Sequence, residues 1–106
     1  MNNKQKLVIA GSASLQKSIS KWIEFFEKHG YEVLDYPSEI GAENFLKEYP
    51  KVHKTFFKNL MRTDILFVMN EDRNGVEGYI GAETFAELAV ANILNVLGKT
   101  KIRILY

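Results

Sequence analysis

The sequence predicts an α/β fold in which helices cover both faces of a four-stranded parallel sheet. Residues 7–10 and 65–69 are continuous apolar runs without alternation, which is typical of strands buried on both faces. Amphipathic helical spacing follows the first run, and an apolar helical segment follows the second after a glycine-rich loop. Residues 31–36 and 101–106 also indicate strands, but polar residues interrupt them, as expected at the edges of a sheet.

The composition is that of one ordinary globular domain, which we expect to span residues 1–106. Hydrophobic residues make up 46% of the chain, charged residues make up 25%, and the formal net charge is +1. This balance gives no electrostatic case for binding nucleic acid or a membrane. The chain has no cysteine, and its two histidines are far apart in sequence, so thiolate chemistry is excluded and a metal site is disfavoured. We expect neither a metal nor a cofactor. We expect the binding partner to be a small molecule.

The amino terminus shows no export signal. Its polar residues lead into an apolar run of only four residues, which is too short for a signal peptide or for a membrane span. We therefore expect a cytoplasmic protein.

The first strand ends in a turn that is suited to binding an anion. Gly11, Ser12 and Ser14 lie between residues 7–10 and a helix whose apolar positions begin at Leu15. Backbone amides and hydroxyl groups at a helix start stabilise an anion such as phosphate. A serine at this place is also a common N-cap, so a purely structural role stays open.

The middle of the chain predicts two helices. The first covers residues 41–49, and the second begins at Pro50 and ends near Arg62, because proline is favoured at the first position of a helix. The apolar stripe of the second helix is Val52, Phe56 and Leu60. His53 lies on a neighbouring stripe, where we interpret it as a packing residue rather than a catalyst.

One face of that second helix is basic. The residues of this face are Lys51, Lys54, Lys58 and Arg62. Such a face can steer a phosphorylated ligand or contact nucleic acid. We interpret it as a solvated face.

Residues 70–91 join a buried strand, a loop and a helix, and we predict the functional site there. The loop carries Asn70, Asp72 and Gly81, and its glycines allow backbone amides to approach a ligand closely. The helix, predicted over residues 84–97, is apolar nearly all round. Because such a helix must be covered on more than one side, we expect a homodimer with this helix near the interface.

Glu87 is the candidate catalytic residue of this helix. Apolar neighbours disfavour its charged form, whereas the helix start favours it, and a carboxylate held in this way can act as a nucleophile or a general acid/base. A structural role stays open as well. Thr84 and Glu87 have the spacing of a capping box, in which the threonine caps the helix and the glutamate reaches back to its amide.

The apolar and the mixed strands together predict the order 2-1-3-4, with parallel strands joined by helical crossovers. This is a three-layer arrangement of the flavodoxin-like or Rossmann-like kind. The order reverses between strands 1 and 3, which places the turn at Gly11 beside the loop at Asn70 and the start of the Glu87 helix. All three are expected to face one crevice.

Three segments resemble the nucleoside 2-deoxyribosyltransferase superfamily, which also includes 2-deoxynucleoside 5-monophosphate N-glycosidases. The turn at residues 10–12 resembles the glycine turn of that family, and residues 62–68 are similar to its aspartate followed by an apolar strand. Residues 81–91 resemble the helix start that carries the family's nucleophilic glutamate, at the position of Glu87. Residues 78–81 look like those of an uncharacterised branch.

The resemblance implies an N-glycosidase, or a deoxyribosyltransferase, in which Glu87 attacks the sugar anomeric carbon. The chain departs from the family in having no tyrosine at Val8, no aspartate at Phe56 and Ala89 in place of a glycine. It also ends at Tyr106 without the acceptor-binding segment of the transferases, which favours hydrolysis over transfer. The alternative is a nucleotide-binding or sensing module that has lost the chemistry.

Other phosphate-binding motifs are absent from the sequence. There is no G-x-G-x-x-G and no G-x-x-x-x-G-K-[ST], and the acidic residues that a receiver domain needs after its first strand are missing. Ser12 and Ser14 flank a turn, so a flavodoxin-type FMN loop stays open as a minor alternative.

Overall fold

A computed structural model describes residues 4–38, 45–69 and 82–106 of the chain. Strands and helices alternate throughout these residues. In chain order the elements are β1 (Lys6–Ala10), α1 (Gln16–Lys28), β2 (Glu32–Asp35), α2 (Phe45–Arg62), β3 (Ile65–Val68), α3 (Ala82–Val96) and β4 (Arg103–Leu105). The alternation confirms the α/β class.

The four strands form one parallel sheet in the order β2-β1-β3-β4. The predicted order is therefore confirmed, with the two continuous apolar strands in the centre and the two mixed strands at the edges. All four residues of β3 are buried, as are the last four of β1. The ends of β1 and β3 are joined by a hydrogen bond from the Met69 amide to the Ala10 carbonyl at 2.8 Å.

Each face of the sheet is covered by helices, which gives three layers. One face packs against α1, and its buried residues are Leu7, Ile9, Ile19, Phe26, Ile65, Phe67 and Met69. The other face packs against α2 and α3, and its buried residues are Val8, Ala10, Phe56, Leu60, Leu66, Val68, Ala91 and Ile102. Alternate residues of β1 and β3 point to opposite faces, as the pleat of a strand requires.

Polar side chains connect the amino-terminal ends of the two central strands. The Lys6 amide donates to a carboxylate oxygen of Asp64 at 2.8 Å, and the Thr63 hydroxyl donates to the Lys6 carbonyl at 3.0 Å. Asp64, which belongs to the segment that resembles the transferase family, therefore lies at the amino end of β3. Its contact with Lys6 is structural.

The prediction of two helices before β3 is wrong. A single helix, α2, spans Phe45–Arg62 and contains Pro50 in its interior, while residues 41–44 lie outside the described part of the chain. Proline has no N–H, so this helix lacks one i to i−4 hydrogen bond at that point. Phe56 and Leu60 are 6% and 0% exposed against the sheet. Their burial offsets the lost hydrogen bond, so a continuous helix is stable despite the proline.

Helix α3 buries one side only. Thr84, Glu87 and Ala91 are buried, whereas three large apolar side chains of the helix and that of Leu97, which follows it, point outward. We call these four the outer α3 face, and they are Phe85, Ile93, Val96 and Leu97. Val96 is 86% exposed and Phe85 is 63% exposed.

We expect a second copy of the chain to cover the outer α3 face, because burying apolar surface contributes about 25 cal/mol per Å². Light scattering should then give twice the chain mass of 12.2 kDa. Replacing Ile93 with lysine should return the protein to a monomer. The matched control is Phe25→Lys, which puts the same charge on α1, where Phe25 is 47% exposed, and should leave the dimer intact. A parent protein that is monomeric at micromolar concentration would contradict this expectation.

None of the helices in the described part of the chain is both long enough and apolar enough to cross a lipid bilayer.

Candidate functional site

A cleft opens at the carboxyl ends of β1 and β2, where ligands of parallel sheets bind. It lies on the face of the sheet that α2 and α3 cover. The residues that line it are Gly11, Ala13, Asp35, Tyr36, Pro37, Ser38, Val52, His53, Phe56 and Glu87. Its volume is about 80 Å³. A bound water needs roughly 10 to 15 Å³, so the cleft is several times larger than a site for one water.

Glu87 reaches this cleft from the second turn of α3 and is 8% exposed. A carboxyl group in this position is shielded from most of the solvent and still faces the cleft. The sequence prediction that places Glu87 in a crevice beside Gly11 therefore agrees with the structure, because both residues line the same cleft.

The predicted capping box is not formed. Helix α3 begins at Ala82, two residues before Thr84, so Thr84 lies inside the helix and does not occupy the N-cap position. Its side chain is 2% exposed. Without Thr84 as the cap, Glu87 has no capping role in that motif. A catalytic role and a structural role for Glu87 both stay predictions.

Gly11 lets the chain pass close to the end of β3. A Cβ atom at this position would lie 2.9 Å from the Cβ of Met69. Real Cβ atoms do not approach each other so closely in packed structures, so any larger residue would push the turn or the strand aside. The absence of a side chain at Gly11 therefore allows the turn after β1 to lie against Met69, where it lines the cleft.

Ser12 and Ser14 do not line the cleft. Their hydroxyl groups are hydrogen-bonded to each other at 2.7 Å, and the Ser14 amide donates to the Ser12 hydroxyl at 3.4 Å. The N-cap of α1 is Leu15, so the alternative in which a serine caps this helix is wrong. These contacts stabilise the turn from within, and ligand binding by Ser12 and Ser14 stays a prediction.

Asp35 and Tyr36, at the end of β2, are cleft residues that were not predicted from the sequence. The Tyr36 amide donates to one carboxylate oxygen of Asp35 at 2.8 Å, and the Asn59 side-chain amide donates to the other at 3.0 Å. Asn59 in turn accepts a hydrogen bond from the Arg62 guanidinium at 3.2 Å. The strand carries an acidic residue at each end, Glu32 and Asp35, so no sequence signal marks Asp35 as special.

Helix α2 provides the apolar wall of the cleft. Phe56 belongs to the core and also lines the cleft, while Val52 is 39% exposed beside it. His53 lies next to them, with its ring 5.8 Å from the ring of Phe57. This ring contact agrees with the packing role predicted for His53. That His53 also lines the cleft was not predicted.

Three predicted ligand-binding residues, Asn70, Asp72 and Gly81, lie outside the described residues. Val8, where the resembling family has a tyrosine, is 0% exposed in the core. Phe56, where that family has an aspartate, is part of the cleft wall. At these two positions apolar side chains that pack against their neighbours therefore replace the polar residues of the family.

The basic residues of α2 point to solvent, as the interpretation of a solvated face requires. Lys51, Lys54, Lys58 and Arg62 are exposed, and Lys51 forms an ion pair of 4.0 Å with Glu48. Within the three described segments, no group of three or more histidine, aspartate or glutamate side chains is placed to hold a metal ion.

Comparisons of the chain with protein-family models, with curated proteins and with solved structures find no match.

Proposed function

We propose that this protein hydrolyses the N-glycosidic bond of a nucleoside or nucleotide, with Glu87 acting on the sugar anomeric carbon. The observation that carries the proposal is the position of Glu87: a carboxylate 8% exposed, on the wall of a cleft at the carboxyl ends of parallel strands. The resemblance of residues 81–91 to the glutamate helix of the deoxyribosyltransferase superfamily supports the same chemistry.

The proposed reaction has two steps. A Glu87 oxygen forms a bond to the anomeric carbon while the bond from that carbon to the base nitrogen breaks, and the base leaves with the electron pair and takes up a proton. Water then attacks the same carbon and gives up a proton to the group that had protonated the base, while Glu87 leaves as a carboxylate and the free sugar forms. His53 and Tyr36 are the cleft residues whose side chains can transfer the proton that the base needs.

The size of the cleft limits what it can hold. About 80 Å³ is much less than the roughly 300 to 1,000 Å³ of a pocket that encloses a whole small ligand, so only part of a nucleoside would enter it. The sugar would occupy the described cleft and bring the anomeric carbon to Glu87. The base would extend beyond these residues.

A second candidate is a binding or sensing module with the same cleft and no turnover. It is favoured by the two apolar residues, Val8 and Phe56, that stand where the resembling family has a tyrosine and an aspartate. A nucleotide would then stabilise the folded state by RT ln(1 + [L]/Kd) without being consumed. A thermal-shift screen combined with chromatography of the recovered ligand separates the two candidates.

The test of the proposed reaction is release of free base. The protein should be incubated with nucleosides and their 5-monophosphates, in ribo and 2-deoxy forms, and the products separated by chromatography. We expect base and sugar to appear in equal amounts from at least one of them. If no compound releases base above the blank, the hydrolase proposal fails. Binding without release would then favour the sensing module.

A further inference from the structure

Asp35 is a carboxylate in the cleft that the proposed chemistry does not use. Its two oxygens are held by different partners, the Tyr36 amide at 2.8 Å and the Asn59 side chain at 3.0 Å. Arg62 holds Asn59 in turn, through a hydrogen bond of 3.2 Å. A carboxylate has about two acceptor positions on each oxygen, so both oxygens of Asp35 can still accept a hydrogen bond. The group is therefore fixed in orientation and able to accept two more donors.

An irregularity in strand pairing brings Asp35 to the cleft. Lys6 pairs with Glu32 and Leu7 with Val33, but Val8 pairs with Asp35, so the register shifts by one residue on β2. Regular alternation would put Asp35 on the same face as Val33, which packs with the α1 side. The shift turns it to the face of Val8, where α2 and α3 lie. Bulges are known to re-aim side chains beside binding sites.

We infer that Asp35 binds the adjacent hydroxyl groups of a ribose, so the ligand of the cleft is a ribonucleoside or its phosphate and not the 2-deoxy form. The inference rests on the proposed function, because it assumes that a sugar occupies the cleft. In dinucleotide-binding α/β folds an acidic residue about 20 residues after the first turn accepts a ribose hydroxyl, and Asp35 occupies a comparable place although the G-x-G-x-x-G turn of those folds is absent. Two acceptors in fixed positions match two neighbouring O–H donors, whereas a 2-deoxyribose has lost one of them.

The test is a comparison of matched ligands. Titration calorimetry, completed before chromatography detects any free base, should measure the dissociation constants of the four common nucleosides and of their 5-monophosphates, each in its ribo and its 2-deoxy form. Hydrogen bonds to a charged group predict that the ribo member of any pair that binds is about tenfold to hundredfold tighter. Asp35→Ala and Asp35→Asn should bring the two members to within about threefold of each other. The matched control is Glu32→Gln, which removes an exposed carboxylate from the other end of β2 and should keep the preference.

The parent protein alone decides the inference, so the result does not depend on how well the Asp35 variants fold. Equal binding within a pair, or tighter binding of the 2-deoxy member, would overturn the role of Asp35. Base release that requires Glu87 would still leave the proposed function standing in that case. If no nucleoside and no monophosphate, ribo or 2-deoxy, binds at millimolar concentration, both the inference and the proposed function fall.

Discussion

Replacing Glu87 with glutamine is expected to lower the rate of base release by about a hundredfold or more. An amide cannot act as a nucleophile or accept a proton, so the first reaction step is lost. Glutamine has nearly the same shape and removes the cost of burying a charge, so the free energy of unfolding should stay within about 1 kcal/mol of the parent or rise. The rate is measured by chromatography of free base, and the stability by urea unfolding.

The control for this substitution is Glu27→Gln, which changes an exposed glutamate on α1, across the sheet from the cleft. It should leave the rate of base release unchanged. A quenched reaction of the parent should also contain protein carrying the mass of one sugar, and the Glu87→Gln variant should lack it. If the Glu87→Gln variant keeps full activity, the catalytic assignment is wrong.

The substitution Gly11→Ala is expected to lower the free energy of unfolding by about 1 to 3 kcal/mol, the usual cost of adding a methyl group to a packed site. The new Cβ would lie 2.9 Å from the Cβ of Met69. That atom cannot move away by rotating a side chain, because it is attached to the backbone that bonds to Ala10. Because the turn must shift, ligand affinity should fall together with stability. Urea unfolding and calorimetry measure the two effects.

Gly98→Ala is the matched comparison for this effect. Gly98 has a φ of +75°, and a Cβ added there meets nothing within 4 Å, so alanine costs only backbone strain of roughly 1 to 2 kcal/mol. Gly98 lies at the other end of α3 from Glu87, and its replacement should leave ligand affinity unchanged. A Gly11→Ala variant that is as stable and binds as tightly as the parent would contradict the close approach at Met69.

The central part of the fold could be predicted because its signal is local. Strands β1 and β3 are apolar on both faces, and this property alone places them inside a sheet with helices on either side. The two strands that contain polar residues are then placed at the edges of the sheet, which gives the order of the strands. The place of Glu87 beside Gly11 could be predicted for a similar reason, since an acidic residue inside an apolar helix is visible in the sequence, whereas its catalytic role stays a prediction.

The features that were predicted wrongly or not at all depend on tertiary contacts. The proline rule favoured a helix start at Pro50, but packing of Phe56 and Leu60 on the sheet outweighs the lost hydrogen bond and keeps α2 continuous. Asp35 reaches the cleft only because the pairing of β1 with β2 shifts by one residue. Such a shift is set between strands that are distant in sequence, so alternation within β2 could not reveal it.

The composition of the cleft wall has a consequence for how this protein can diversify. Phe56 lines the cleft and is also part of the core, and Glu87 is four residues from the fully buried Ala91 on the same helix, so changes on this side alter folding as well as binding. Residues 36–38 follow Asp35, the last residue of β2, and are not among the buried residues of either face of the sheet. Amino-acid substitutions in descendants of this sequence would therefore accumulate at Tyr36, Pro37 and Ser38. Lineages could acquire new ligand preferences there while inheriting the helical side unchanged.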